Sequence, residues 1–336
     1  MRYSLSDAFG KEVRELKERC RVGVIQGEEI LRYSFPDPHP FRSTRVIPFY
    51  NGLEDLKNDL GESMLNIKPH LASADDVLLF HEKSYVDFVR EKCRDGHGYL
   101  DYGDTPAFKG CYEASLYVVG STLRLVDAVL NGEIDHGFNP VGGLHHAKKD
   151  SAGGFCIFND VAVAIKYLLD KIGLKEVLYV DIDAHHGDGV FYSFYFDKRV
   201  RILDFHQSGK TLYPGTGFEH ERGGGEAIGT KLNISFLPGA GPREFRDAWE
   251  NVAEDFLSES NPGFIILQAG ADGLAGDPLT GLNYTEKVHE FVATRLHKFS
   301  HEKCEGRFIA VGGGGYDPAN IAKAWLSVVK AMATPP

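Results

Sequence analysis

Five ionisable side chains fall within eight positions in the run Asp181-Ile-Asp183-Ala-His185-His186-Gly187-Asp188, directly after the apolar stretch VLYV at 177–180. In a strand, residues two apart face the same way, so Asp181, Asp183 and His185 can converge where that strand ends. Two carboxylates and an imidazole suit a divalent cation. Zinc accepts His nitrogen and carboxylate oxygen, and a catalytic zinc site keeps three protein ligands with one position open. A single Asp here would read as a turn or helix-cap residue. This density of charge after a buried strand points instead to a metal or to catalysis.

Three further clusters carry chemistry. In Gly142-Gly143-Leu144-His145-His146-Ala147 the adjacent histidines should point in different directions, which suits two separate acid/base groups better than one shared cation. Histidine titrates near neutral pH, and each imidazole needs a partner that fixes its tautomer. Asp181 and Asp188 are carboxylates available for that. In LQAGADGLAGDP, Asp272 sits among small residues that let the backbone approach a ligand. Taken alone, it is as readily a turn cap as a third metal ligand. Tyr316 follows four glycines, a loop able to bring a phenol close to a reacting centre. A phosphate cradle is excluded, because the spacing fits neither GxxxxGK[ST] nor GxGxxG.

The elements that must position these groups read as alternating strands and helices. Apolar strands are expected at 21–25, 177–180, 201–205, 232–236, 264–268 and 308–311, and helices at 4–20, 51–60, 85–92, 111–130 and 159–169. Residues 36–45 read as an irregular loop. The alternation predicts a parallel sheet, and the wholly apolar strands predict helices on both of its faces. The clusters at 181–188, 268–272 and 312–316 each follow a strand directly. Ligands of parallel α/β sheets bind beyond the carboxyl ends of the strands, so the three clusters predict one site. One domain over 1–336, with 1–20 as a helical extension, is the simplest organisation.

Bulk composition excludes several classes. The net charge of −11 argues against nucleic-acid binding, which needs a basic stripe, and permits a cationic, lysine-rich partner. Cys20, Cys93, Cys111, Cys156 and Cys304 are odd in number, widely spaced and without a CxxC pair. They are expected to be reduced thiols of a cytoplasmic protein, not a disulfide framework or a cysteine-based zinc site. The polar N-terminus lacks the apolar core of a signal peptide, and no apolar run reaches the length of a membrane span. Oligomeric state is not legible here.

Taken together, GGLHHAKKDSAGGFCIFND, VLYVDIDAHHGDGV, LYPGTG, LQAGADGLAGDP and VGGGGYDP resemble the histone deacetylase superfamily. The opening VGVIQGEEILRYSFPDPHPFRSTR is similar to its bacterial and archaeal acetoin-utilisation branch. The resemblance runs from about Val22 to Trp325. It implies the single-domain arginase–deacetylase α/β fold and a zinc-dependent hydrolase acting on acylated lysine in a protein or peptide. By this resemblance, Asp183, His185 and Asp272 would bind one zinc ion. His146 would act as general base and then acid with Asp188 as partner. His145 would pair with Asp181, and Tyr316 would donate a hydrogen bond to the substrate carbonyl. Gly154, Phe155, Tyr213 and Leu279 would line the acyl-lysine tunnel, and Asp104 would grip the substrate backbone at the rim.

The family pattern also implies structural potassium, held by Asp181, by backbone near Asp183 and His185, and by positions 204 and 205. Asp204 stands where a serine is usual, beside Phe205. A second potassium site would use backbone carbonyls of Phe194, Asp197 and Val200. Leu279 carries no charge at a mouth position where polyamine-deacetylating relatives tend to carry Glu, which ranks acyl-lysine above acetylpolyamine or other small acetylated amines. A dimanganese ureohydrolase would need a late DxD motif, and a nucleobase deaminase would need HxE with PCxxC. Neither pattern is present. A catalytically silent acyl-lysine reader is disfavoured because every expected catalytic group is there.

Overall fold

The computed structural model describes residues 19–335. The helix expected over 4–20 falls outside them, save for Arg19 and Cys20, neither of them helical. Eight strands carry the architecture: β1 (Val22–Ile25), β2 (Met64–Ile67), β3 (His136–Asn139), β4 (Val177–Asp181), β5 (Val200–Gln207), β6 (Lys231–Phe236), β7 (Phe264–Gln268) and β8 (Phe308–Val311). They form one sheet in the order β2-β1-β3-β8-β7-β4-β5-β6, with every pairing parallel.

The strands lack polar alternation because both faces are covered. In β4, Val177 and Tyr179 pack into one apolar layer while Leu178 and Val180 pack into the other. In β7, Phe264 and Ile266 divide from Ile265 and Leu267 in the same way. The relevant helices are α1 (Ile47–Leu60), α2 (Lys83–Asp95), α3 (Cys111–Leu130), α4 (Asp160–Lys166), α5 (Asp188–Ser193), α6 (Pro242–Ala248), α7 (Glu254–Ser258), α8 (Glu286–Cys304) and α9 (Pro318–Ala333). The α3 and α4 helices contribute Val119, Leu125, Val161 and Ile165 to the first layer. From the opposite side α1, α8 and α9 bring Phe49, Leu296 and Trp325. Burying such side chains stabilises the sheet by about 25 cal/mol per Å² of apolar surface.

Two differences from expectation have clear causes. β3 reads HGFN and offers no apolar run, and β2 is a half-exposed edge strand, so neither announces itself. The cysteine reading is corrected: Cys93, in the last turn of α2, and Cys111, the first residue of α3, form a disulfide with their Cα atoms 5.3 Å apart. Packing of α2 against α3 brings them into bridging range, which their separation of 18 residues does not reveal. Cys20, Cys156 and Cys304 are free and buried. No helix among the described residues is long and apolar enough to cross a membrane.

Candidate active site

The four central strands β3, β8, β7 and β4 all deliver polar loops to one edge of the sheet, at their carboxyl ends. From β4 come Asp183 and His185, and from β7 comes Asp272. His185 Nδ1 lies 2.9 Å from Asp272 Oδ2 and 3.1 Å from Asp183 Oδ1. One ligand atom from each residue falls within 4.8 Å of the others. Asp183 is 1% exposed and Asp272 is 0% exposed. Two buried carboxylates this close need a positive charge between them. One imidazole nitrogen and two carboxylate oxygens are a donor set that fits zinc.

The outward oxygens are held by the protein. Asp183 Oδ2 accepts from Gln268 Nε2 and from the Gly314 amide, both at 2.8 Å, and Asp272 Oδ1 accepts from the Ala184 amide at 2.8 Å. A Cβ on Gly314 would stand 2.2 Å from Asp272 Oδ2, so this loop position requires glycine. Asp181 stands behind the cluster. Its Oδ2 lies 2.8 Å from His145 Nδ1 and accepts from the Tyr179 hydroxyl at 2.5 Å, and its Oδ1 accepts from the Asp183 amide at 3.0 Å.

His145 and His146 do not diverge as adjacent residues in regular structure would. Their Nε2 atoms are 3.1 Å apart, and the Nδ1 atoms face Asp181 and Asp188 at 2.8 and 2.7 Å. The loop is bent into this shape from α4. Asp160 accepts from the amides of Gly143 and Leu144, and Asn159 donates to the carbonyls of His145 and Ala147 while capping the helix. Sequence reasoning missed this pair; the Asn-Asp dipeptide at a helix start was the available signal. Burial works against charge on His145, but the Asp181 and Asp183 carboxylates outweigh it and hold the imidazole up at about 9. His146 goes the other way. Burial and the neighbouring His145 hold it down at about 4, against the pull of Asp188. One proton thus sits between them, on His145.

Asp183, His185, His145 and His146 line a cavity of about 240 Å³. Gly154, Phe155, Tyr213 and Leu279 line it together with Asp104 and Tyr316, as does Phe41, which sequence reading passed over. Gly154 has φ 53°, and a Cβ there would meet His146 Cδ2 at 2.3 Å. Tyr213 and Leu279 are part-exposed at the mouth, at 46% and 39%. The Tyr316 phenol is held well above its ordinary pKa, by burial first and by Asp272 next, so it remains a donor. Its amide donates to Asp277 Oδ2 at 2.8 Å. Arg45, read earlier as loop, is buried and donates to the carbonyls of Gly315 and Gly313 at 2.9 and 3.0 Å. It thereby fixes the glycine loop that carries Tyr316.

The expected cation sites look different. Lys231 Nζ donates to the carbonyls of Asp197 and Val200, two of the carbonyls assigned with Phe194 to a second potassium. The chain's own side chain thus stands where that ion was expected, and burial brings the Lys231 amine down to about 7. Asp204 spends Oδ1 on His206 Nδ1 at 2.7 Å and Oδ2 on the Gly187 amide at 3.0 Å, while Phe205 is buried in the core. His206 Nε2 faces the Gly217 carbonyl at 2.8 Å. Both ring nitrogens then donate, which makes His206 an imidazolium beside Asp204.

Comparison with known proteins gives the family. The histone deacetylase domain profile matches residues 39–332. The acetoin utilization protein AcuC of Bacillus subtilis is 38% identical over 308 residues, covering 88% of this chain and 79% of that protein. A probable deacetylase of Archaeoglobus fulgidus is 34% identical over 316 residues, covering 93% of this chain and 86% of that one. The crystal structure of the HDA15 HD domain superposes with a TM-score of 0.85 at 27% identity, over 93% of this chain and 88% of that domain. The sheet and its helices are the arginase–deacetylase α/β fold, and the chain belongs to the histone deacetylase family, on its AcuC-like branch.

Proposed function

We propose that this chain is a zinc-dependent hydrolase that removes acetyl or other short acyl groups from lysine side chains of proteins or peptides, as one catalytic domain. The observation that carries the reading is the convergence of Asp183, His185 and Asp272, the first two on the wall of one cavity, beside two His–Asp pairs and Tyr316. Bound by those three residues, zinc supplies Lewis-acid polarisation of the amide carbonyl and a lowered pKa for water. His146, neutral at working pH, takes the proton from the attacking water. Tyr316 donates to the carbonyl oxygen as charge develops there. His146 then returns that proton to the leaving amine, while His145 keeps the proton that Asp181 stabilises and supports the developing charge electrostatically. Phe155 and Tyr213 favour a neutral, extended acyl-lysine chain and exclude water around it.

Acetylpolyamine is the second reading, and the negative net charge is what favours it. Leu279 opposes it, offering no charge at the mouth for a second ammonium. Purified protein should be given acetyl-, propionyl- and butyryl-lysine peptides and acetylpolyamines, with and without chelator. Peptide turnover abolished by chelation and restored by zinc supports the first reading. Turnover restricted to polyamines shifts the substrate, and hydrolysis indifferent to chelation overturns the metal assignment.

A further inference from the structure

The opposite, amino-terminal edge of the sheet carries a second cluster of ligand-type side chains. Cys20 precedes β1, His136 opens β3, and His297 and His301 lie one turn apart on α8. Cys20 Sγ is 3.5 Å from His297 Nε2 and 3.6 Å from His301 Nε2, and His301 Nε2 is 3.3 Å from His136 Nε2. All four ligand atoms lie within 4.8 Å of one another. His136 is 0% exposed, His297 is 1% exposed and Cys20 is 8% exposed. We infer that Cys20, His136, His297 and His301 bind a second divalent transition metal of the zinc class, in a closed structural site at the amino edge of the sheet.

The distances carry the inference. Four ligands at tetrahedral angles, with zinc–nitrogen bonds of about 2.0–2.1 Å and a zinc–sulfur bond of about 2.3 Å, require N···N edges of about 3.3–3.4 Å and S···N edges of about 3.5–3.6 Å. One N···N edge and both S···N edges meet those values, and the other three edges lie within 4.8 Å. A core packed only for hydrophobic contact has no reason to turn three imidazole nitrogens and a sulfur toward one point. One thiol and three imidazoles form a borderline-soft set that suits zinc and cobalt over magnesium or calcium. Four protein ligands leave no open position, so the site holds structure and does no hydrolysis. Binding forms a metal–sulfur bond and releases the Cys20 thiol proton to solvent. The metal would tie the chain entering β1 to the start of β3 and to the last turns of α8, three segments far apart in sequence. It also revises the reading that the cysteines hold no metal.

The test uses the full chain. Zinc-loaded protein should contain two metal ions per chain, falling to one in Cys20→Ser/His297→Gln while deacylation is retained. Cobalt-substituted protein should show thiolate-to-cobalt charge-transfer absorption in the near ultraviolet. The Asp183–His185–Asp272 cluster has no sulfur and cannot produce it. The band should vanish in Cys20→Ser and persist in His185→Ala, which separates failure of this site from failure of the catalytic one. Folded wild-type protein that takes up cobalt without that band overturns the proposal, as does a metal content equal in wild type and in the double variant. The wild-type spectrum decides the matter even where the double variant does not fold.

Discussion

The two edges of the sheet gather polar groups for opposite ends. At the carboxyl edge, Asp183 and His185 face a cavity with Asp272 against them, and the His145–His146 pair and Tyr316 stand around the same space. At the amino edge, Cys20, His136 and His297 are buried and face one another, and Lys231, the first residue of β6, closes on the carbonyls of Asp197 and Val200. The carboxyl edge is built from loops that leave strands, where side chains can be aimed at a ligand. The amino edge is built from the first residues of strands and the end of a helix, where backbone is already fixed. Chemistry therefore collects at one edge and mechanical closure at the other, on the same eight strands.

The comparison breaks first if metal loss at the carboxyl edge is tolerated. Asp272→Ala should lower kcat/KM by more than about 10³-fold, beyond the loss from one oxyanion donor. Its thiolate–cobalt absorption should survive, because the amino edge is untouched. Tyr316→Phe keeps the loop and the Asp277 contact and removes one donor, so kcat should fall by about 10²- to 10³-fold with metal content unchanged. Near-normal turnover in that variant removes Tyr316 from the mechanism. Gly154→Ala drives a methyl into His146 and should cost on the order of 10²-fold in kcat, the scale of a misplaced acid/base group. Its thermal stability should fall less than its activity, because the clash is with a side chain in a cavity wall.

The edges also differ in how far they could be read from sequence. Asp183 and His185 are two positions apart just after a buried strand, a spacing that drew them out of the sequence although the strand itself ends at Asp181. Asp272 needed the family likeness, since a lone Asp after a strand also caps turns. The amino-edge quartet left no local trace: Cys20 and His301 are 281 positions apart, and β3 has no apolar run to mark His136 as a strand residue. Only the i, i+4 spacing of His297 and His301 hinted at a shared face. Arg45, Gln268 and Asn159 escaped for a different reason. They act on backbone and on other side chains, and such partners appear only once the chain is folded.

Lys231 offers a smaller test on the amino side. Lys231→Met leaves the carbonyls of Asp197 and Val200 without their donor, at a cost of about 1–3 kcal/mol for buried groups left unpaired. Denaturant unfolding should show that loss in sodium and a partial recovery in potassium, which can take the same carbonyl oxygens. Wild-type stability should be the same in both salts at this site. A wild-type protein that itself gains stability from potassium there would place the ion beside Lys231 Nζ and break the assignment.

The finest test lies within the carboxyl edge and concerns which histidine keeps the proton. His146, held at about 4, is the base form above that pH, so activity should rise as pH climbs through the acid limb. His145, held at about 9, is the protonated form below that pH, so activity should decline as pH passes the alkaline limb. Asp181 is the first of the carboxylates, ahead of Asp183, that outweigh burial at His145. Asp181→Asn removes that charge and keeps the side chain's shape, so the His145 pKa must drop and the alkaline limb must move to lower pH. The acid limb should move less, and upward if at all, because burial, which the substitution leaves alone, is the chief cause that holds His146 down, with the charge on His145 next. The measurement is the pH dependence of kcat/KM in variant and wild type under one metal load, which cancels the downward pull of bound zinc on both limbs. An alkaline limb that stays in place in Asp181→Asn, with the acid limb moving instead, would put the proton on His146 and exchange the roles of the two histidines.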